Sequence, residues 1–343
     1  MTFMIAVALT PHVILSKSLM VLLMRVVLFL SIAVVFVPLE RLIPFHVKQR
    51  LFRKHLGLDL LHFFVGGIFI VLFVRVTYFL LPMISRWAGV HASPISVRKL
   101  PIWQQFLIFE ASWTFLGYWV HRFEHKWKPL WRLHSIHEST EELDWLSAFR
   151  LHPFEPALFQ LTTIIPLWFF GMDLPVAIAY RIFGYVFAHV QHSNVVFPIG
   201  PLKYILPTPE FHRWHHARVV DANGKQVRSF RNFSEYPIWD ILFGTFYLPA
   251  ERPTAYGNAR GVPMDYLAQL AYPFGGHQWV LAQKQRFNER FRIGERIEKW
   301  RESLKPTHEA IENRLASFCL LPLGDPADPR IVSVQPILGK ETT

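Results

Sequence analysis

The sequence predicts an all-α integral membrane protein with about four transmembrane helices and a cytoplasmic, helical, histidine-rich metal-binding cap. Hydrophobic residues make up 52% of the chain, and the mean hydropathy is +0.23. Charged residues make up only 18%, against roughly 25% in soluble proteins. Ten of the 17 histidines lie between residues 121 and 216. This composition excludes a disordered, coiled-coil or collagen-like chain, and the single Cys319 excludes a disulfide framework and a cysteine-rich metal site.

Four apolar regions predict the membrane segments. Residues 19–38, 60–82 and 102–120 are each long enough to cross a bilayer. Residues 155–192 contain two further apolar stretches, separated by Gly171 to Pro175, which predict a tight helical hairpin entering and leaving the membrane.

Two charged residues lie inside these predicted spans. Arg25 is close enough to one end of the first span to snorkel to the interface. Glu110 falls at the middle of the third span, so we expect it to face the protein interior and to be paired or protonated.

The distribution of lysine and arginine predicts the orientation. The loops 39–59 and 121–154 are each rich in basic residues, whereas the tail before the first span contains only Lys17. The positive-inside rule therefore places both loops and everything after residue 192 in the cytoplasm, and the N-terminus outside. The formal net charge of +11 fits contact with anionic lipid better than nucleic-acid binding, because no basic run stands apart from the apolar segments.

Three regions follow from this pattern. We expect N-terminal transmembrane helices over residues 1–100, a catalytic domain over 101–250, and a cytoplasmic C-terminal extension over 251–343. Residues 286–304 predict a basic amphipathic helix, either on the membrane or the catalytic domain or as a solvated surface helix. Residues 320–343 contain several prolines and predict a loosely ordered end.

Four histidine clusters predict a metal centre. Residues three or four apart on a helix share one face, so each cluster is expected to direct two or three imidazoles at one centre. Nine or ten imidazoles exceed the four ligands of one zinc and suit two octahedral first-row metals, with iron fitting as well as zinc. The clustered histidines are His121, His125, His134, His137, His189, His192, His212, His215 and His216. The isolated histidines are expected to be hydrogen-bonded core or interface residues: His12, His46, His55, His62, His91, His277 and His308.

The motifs around these clusters resemble the fatty acid hydroxylase/sterol desaturase superfamily. They are Tyr118-Trp-Val-His-Arg-Phe-Glu-His125, Leu130-Trp-Arg-Leu-His-Ser-Ile-His-Glu-Ser139, Arg150-Leu-His-Pro153, Gln191-His-Ser-Asn194, Thr208-Pro-Glu-Phe-His-Arg-Trp-His-His216, and Asn232 followed by Trp239 to Thr245. The resemblance covers about residues 100–247. It implies an integral-membrane di-iron enzyme that uses O₂ and two electrons to hydroxylate or desaturate a lipid, such as a sterol or a fatty acyl chain. It also implies that the nine clustered histidines bind the metals, with His152 a less certain ligand.

One departure from the family pattern concerns Glu138. The second motif usually ends in two adjacent histidines, and here it ends in His137-Glu138. Glu138 is expected either to bind iron or to hold a ligand imidazole through its free N–H; a third alternative is a weakened site and an inactive, metal-stabilised scaffold. Zinc would be a substitute acquired during purification. Arg150, Asp240 and Asn194 are further candidates for ligands or for supporting hydrogen bonds.

The remaining function classes and partners follow from missing motifs. A metalloprotease needs HExxH, but no histidine follows His137-Glu138 at that spacing; a bis-histidine haem protein needs one histidine from each of two helices, not triplets on one turn. The sequence contains no GxGxxG and no Cys₄ motif, so the electrons must come from a separate donor, either a cytochrome b5-like protein or a ferredoxin with its reductase. Aromatic residues near the clusters are expected to line a cavity open to the bilayer: Trp119, Phe123, Trp127, Phe149, Phe187 and Trp214.

Overall fold

The described part of the chain is mostly helical. The computed structural model describes residues 11–69, 76, 79, 83, 95–172, 174–220, 226–259, 261–291 and 293–316. The α-helices of these residues are α1 (Pro11–Leu42), α2 (Leu56–Leu61), α3 (Ile102–Lys126), α4 (Lys128–Glu138), α5 (Glu155–Phe170), α6 (Leu174–His192), α7 (Pro209–His216), α8 (Pro237–Leu242), α9 (Tyr266–Ala271), α10 (His277–Phe291) and α11 (Ile293–Ala316). Short 3₁₀ turns cover Trp145–Phe149, Gly200–Tyr204 and Tyr272–Phe274, and two antiparallel strands pair β1 (Val219–Val220) with β2 (Gln226–Val227).

The first helix matches the first predicted span. Residues Leu23–Leu42 of α1 have a mean hydropathy of 2.2 and are the one segment of the described residues that is long and apolar enough to cross a membrane. Much of its apolar surface faces outward, with Met24 62% and Val34 72% exposed. Length and composition alone carry this result, so the four-span topology and its orientation stay predictions.

The first two predicted spans contact each other through Arg25. Its guanidinium lies over the Phe63 ring, 4.5 Å from the centroid, and donates to the Phe63 carbonyl. The second predicted span begins in α2, which continues through a π-helical turn at His62–Gly66, but most of residues 70–94 lie outside the described residues.

The predicted hairpin is present as two helices. Gly171 ends α5 in the left-handed region, with φ of 56°, a conformation that glycine adopts without a Cβ penalty. The predicted cap Asp173 lies outside the described residues. Both helices pack against α3, and the shared core contains Phe109, Met172 and Tyr180. Glu110 is half-buried and both its carboxylate oxygens are shielded from solvent.

The C-terminal region is helical but differs in its boundaries from the prediction. Residues 286–304 span the end of α10 and the first half of α11, with residue 292 between them outside the described part. Trp279 and Trp300 are 68% and 64% exposed. Residues 320–343 also lie outside the described residues.

The isolated histidines include two that are hydrogen-bonded, as expected: the buried His62 and the half-buried His46. His62 Nε2 lies 2.6 Å from Gln269 Oε1, and His46 Nε2 lies 2.6 Å from Tyr256 Oη. His308 instead stacks on Phe52, with 4.4 Å between ring centroids. The side chains of His12 and His91 lie outside the described residues.

Candidate metal centre

Four helices end at one buried site. The last turns of α3, α4, α6 and α7 carry five of the eight histidines that face each other there, and His121, His134 and His212 lie just before the last turns of their helices. The start of α7 is fixed by Thr208, whose hydroxyl accepts the Phe211 N–H at 3.2 Å, and by Pro209 in the first turn. The C-terminal end of a helix carries partial negative charge, so four converging ends favour a bound cation.

The first group of donors, site A, comprises His121, His125, His134, His215 and Glu138, all buried. One ligand atom from each lies within 4.8 Å of all the others. His121 Nε2 is 3.0 Å from His134 Nε2. Glu138 Oε1 is 2.6 Å from His215 Nε2 and 3.3 Å from His125 Nε2.

The second group, site B, comprises four buried histidines: His137, His192, His212 and His216. His192 Nε2 is 3.1 Å from His137 Nε2 and 3.0 Å from His212 Nε2. His216 Nε2 is in turn 3.0 Å from His212 Nε2. Four imidazole nitrogens at this spacing match the inner ligand sphere of a first-row metal.

The protonation pattern at site A shows that these residues fit a metal. His121 and His125 donate through Nδ1 to backbone carbonyls, as His215 does, so each Nε2 carries a lone pair instead of a proton. These lone pairs face each other and the Glu138 carboxylate at contact distance. Such an arrangement is repulsive on its own and becomes favourable when a cation lies between the donors.

A single segment, residues 229–233, orients three of the four site A imidazoles. The carbonyls of Ser229, Arg231 and Phe233 accept the Nδ1 protons of His125, His215 and His121 at 2.9, 2.8 and 2.6 Å. Asn232, between the second and third acceptors, has a positive φ, so the segment is not a regular strand. The sequence analysis missed this segment, because backbone acceptors leave no side-chain motif.

The side chains of Asn232 and Asp240 hold that segment in place, and both residues belong to the motifs identified in the sequence. Asn232, with φ of 55°, accepts the Tyr247 N–H at 2.8 Å and donates to the Phe211 carbonyl at 2.9 Å. Asp240 accepts the backbone N–H groups of Phe233 and Ser234, each at 2.8 Å. Asp240 therefore supports the metal centre through the backbone and does not reach the metal itself.

We expect Asp240→Ala to loosen site A. The substitution leaves two buried N–H groups without an acceptor, which costs about 1–3 kcal/mol for each group. Without the bond to its N–H, Phe233 is placed less firmly, and its carbonyl holds His121 less firmly. Metal content should therefore fall together with the unfolding temperature. Metal analysis of the purified variant checks this, with Asp265→Ala, which removes a helix cap away from the site, as the control. Full metal retention in Asp240→Ala would contradict the supporting role.

Glu138 connects the two groups. Its Oε1 belongs to site A, while its Oε2 lies 3.4 Å from Nδ1 of His216, a member of site B. The two roles expected for this residue, ligand and holder of a ligand imidazole, are therefore compatible in one side chain. Glu138 is fully buried and both its oxygens lack an ordinary hydrogen bond.

Burial favours neutral imidazoles around one carboxylate, except at His134, where Glu124 and Glu155 outweigh burial and hold the pKa well above its usual value. Burial, together with the neighbouring histidines, holds the pKa values of His137 and His212 well below the usual range. Burial also lowers the pKa of His216, against the opposing effect of Glu138. Burial raises the pKa of Glu138, but His216 and His215 outweigh it, so this pKa lies well below its usual value. Neutral imidazole and ionised carboxylate are the forms that bind metals.

His189 is not brought to either group. Its Nδ1 donates to the Trp145 carbonyl at 2.9 Å, and its ring packs against Phe149 and Tyr185. His152 is also remote from both groups, since its Nε2 bonds the Leu270 carbonyl at 3.2 Å. The expectation that these two histidines bind metal is not supported by their positions.

The other candidates act in the surrounding structure. Arg150 forms a buried ion pair with Asp59 at 2.5 Å. Asn194 accepts the His46 N–H at 2.9 Å, and its own N–H donates to Glu40 at the same distance. Among the aromatic residues expected to line a cavity, Phe123 and Trp127 are both 56% exposed, so they lie on the outer surface instead.

Comparison with known proteins agrees with this site. A sequence model described as fatty acid hydroxylase matches residues 106–245, which include every residue of sites A and B. Over these residues the chain matches the family that its histidine motifs resemble. No solved structure matches the chain.

Several curated proteins are similar in sequence. Ornithine lipid hydroxylase OlsE of Rhizobium tropici is 37% identical over 49% of this chain and 50% of its own length. Alkylglycerol monooxygenase of Danio rerio is 28% identical over 70% of this chain and 50% of its own. Very-long-chain aldehyde decarbonylase GL1-4 of Oryza sativa subsp. indica is 30% identical over 46% of this chain and 27% of its own. The match therefore spans half or less of each of these relatives.

Proposed function

We propose that this chain is a multi-pass membrane oxygenase with two irons, which uses O₂ and electrons from a separate donor to hydroxylate a lipid. The overall reaction consumes one O₂, two electrons and two protons for each C–H bond converted to C–OH, and releases one water. The observation that carries the proposal is the pair of buried donor groups, one with four imidazoles and a carboxylate and the other with four imidazoles. The match of residues 106–245 to the fatty acid hydroxylase model supports it.

Each donor group would hold one iron. His121, His125, His134, His215 and Glu138 would hold the first, and His137, His192, His212 and His216 the second. When bound, the two irons activate O₂ for attack on an unreactive C–H bond. The chain itself supplies neutral imidazoles, one shared carboxylate and a site from which water is excluded by burial.

The donor set favours iron over structural zinc. Structural zinc takes four ligands and often thiolates, whereas these groups contain imidazole and carboxylate donors only. With four or five protein ligands each, six-coordinate metals would retain open positions for O₂. Zinc bound to purified protein is then expected to be a substitute.

The substrate class follows from the setting of the site. The outward-facing apolar surface of α1 favours a chain embedded in the bilayer, so we propose a lipid that enters from the membrane. The curated relatives named above carry names of lipids or long-chain aldehydes, which supports the same class. The site and the C-terminus are proposed to face the cytoplasm, where the net charge of +11 would favour an acidic electron donor.

The test measures oxygen incorporation directly. Membranes containing the chain are supplied with isotopically labelled O₂, a ferredoxin or cytochrome b5 reducing system and total membrane lipid, and lipid products are analysed by mass spectrometry. We expect iron-dependent incorporation of one labelled oxygen atom into a lipid, absent without reductant and absent in His125→Ala. A lipid that loses two hydrogens without gaining oxygen would identify desaturation instead of hydroxylation.

The competing function is an inactive, metal-stabilised scaffold. It predicts bound metal that raises the unfolding temperature but no lipid product under any reducing system. The Glu138 position argues against it, because the carboxylate occupies a ligand position in site A and leaves no gap where the usual histidine is missing. Iron-loaded protein without any oxidised lipid would favour the scaffold.

A further inference from the structure

We infer that the two metal positions are electrically unequal, and that Glu155, by accepting the Nδ1 proton of His134, is a positioning residue for site A. This inference rests on the proposed metal centre but not on its reaction. Glu155 belongs to none of the histidine motifs, and its role comes from its position at the start of α5, next to the end of α4.

The contrast lies in what supports each imidazole of site A. His121, His125 and His215 each donate through Nδ1 to a neutral backbone carbonyl. His134 instead donates to Glu155 Oε1 at 2.7 Å, with both side chains almost fully buried. A carboxylate behind a ligand imidazole fixes its tautomer and raises its basicity, so the metal–nitrogen bond strengthens.

A second buried acid stands on the same side. Glu124 Oε2 lies 3.6 Å from the same His134 Nδ1, and neither Glu124 oxygen has a hydrogen-bond partner. Glu124 and Glu155 thus surround one nitrogen of one ligand, and both are buried. The region behind His134 is therefore the most acidic surrounding of any ligand in the two groups.

Site B lacks an equivalent support. His192 donates through Nδ1 to the Ala188 carbonyl at 2.8 Å, and His137 Nδ1 has no hydrogen-bond partner. Only His216 faces a carboxylate, Glu138 Oε2, at the longer distance of 3.4 Å. Site A combines Glu138 Oε1 as a direct donor with the Glu155 contact, whereas site B has four imidazoles as its whole inner sphere.

The consequence is a difference in charge stabilisation. Two carboxylates stabilise positive charge at site A: Glu138 Oε1 is at ligand distance, and Glu155 lies behind the His134 imidazole. Positive charge at site B is stabilised far less. Site A should therefore bind its metal more tightly and favour the more oxidised iron of the pair. The two irons should differ in both chelator resistance and spectroscopic environment.

The test uses the full chain, purified in detergent and loaded anaerobically with ferrous iron enriched in the Mössbauer isotope. We expect two quadrupole doublets of equal area and two phases of iron release to a chelator. Glu155→Gln keeps the size and an acceptor oxygen but removes the charge. It should change one doublet only and speed the slow release phase by about 10–100-fold.

Matched variants separate this role from a structural one. Asp144→Asn also removes a buried carboxylate, one that pairs with Arg53 away from the metals, and should alter stability without changing either doublet. Glu124→Gln should shift the same doublet as Glu155→Gln by a smaller amount, and provides the test if Glu155→Gln fails to fold. Neither measurement needs lipid, O₂ or an electron donor, so a chain that oxidises no lipid can still show two unequal sites.

Three results would overturn the inference. A single doublet and a single release phase in the unsubstituted chain would show that the sites are equivalent. An equal change in both doublets on Glu155→Gln would show that the residue does not act through His134. A chain that binds fewer than two irons would remove the paired centre itself, and metal analysis before the spectra identifies that case.

Discussion

Replacing His215 with alanine is expected to remove one metal from each chain and to abolish lipid oxidation. His215 Nε2 contacts Glu138 Oε1 at 2.6 Å and lies among the donors of site A. Its removal leaves four donors, and it also leaves the buried Glu138 oxygen without its nearest neighbour. Because the proposed O₂ activation requires both metals, the loss of one should stop the reaction instead of slowing it.

The measurement is metal content together with labelled-oxygen incorporation, before and after the substitution. We expect about two irons per unsubstituted chain and about one in His215→Ala. The same loss of activity is expected for alanine at His125, His134 or His216, each a member of one of the two groups. Full activity in His216→Ala would refute the paired centre.

His308→Ala is the matched control. His308 stacks on Phe52 at the C-terminal helix and belongs to neither group, so its removal should change neither metal content nor activity. If this control lost metal as well, loss of metal in the other variants would report general unfolding and not ligand removal.

The spacing of the histidines predicts clusters directed at one centre. Eight of the nine clustered histidines lie in one of two donor groups and His189 lies in neither, and the spacing did not indicate how the donors divide. Each triplet was expected to direct all its members at one centre. In the structure, members four apart share a site: His121 with His125, His134 with Glu138, and His212 with His216. Four residues advance a helix by about 40° beyond one full turn, whereas three fall about 60° short.

That difference explains the residues that diverge. His137 and His215 stand three residues after the first member of their clusters, and each belongs to the opposite site from that member. His189 stands three residues before His192 and points away into an aromatic pocket. The rule for one helix face is too coarse to separate two metals a few ångströms apart.

Other parts of the site depend on the tertiary fold. The carbonyls of Ser229, Arg231 and Phe233 orient three imidazoles. Two of these contacts, to His125 and His121, join residues more than a hundred positions apart, and the third, to His215, joins residues 16 positions apart. Helix bounds were easier to predict, because α3 and the α5–α6 pair follow continuous apolar runs ended by glycine or polar residues. The acid that supports His134 is identified by the contact between the start of α5 and α4, and it could not be obtained from local sequence.

The second large effect concerns a buried ion network that contains none of the site A or site B donors. Asp59 in α2 pairs with Arg53 Nη2 and Arg150 Nε, both at 2.5 Å, with all three side chains almost completely buried. Arg53 also pairs with Asp144 at 2.5 Å. Asp144 caps the 3₁₀ turn that begins at Trp145, and the Trp145 carbonyl accepts the Nδ1 proton of His189. The network thus joins α2 to the segment that leads from α4 to α5.

Asp59→Ala is expected to destabilise the chain by about 3–5 kcal/mol, because it leaves the buried Arg150 guanidinium without its carboxylate. Arg53 retains Asp144, so most of the cost arises at Arg150. Thermal unfolding in detergent should show a large decrease in midpoint.

The double variant Asp59→Leu with Arg150→Met removes the charge as well as its partner, and should recover much of the stability, since apolar replacements of buried ion pairs are often neutral. A double variant no more stable than Asp59→Ala would show that shape, and not uncompensated charge, determines the loss.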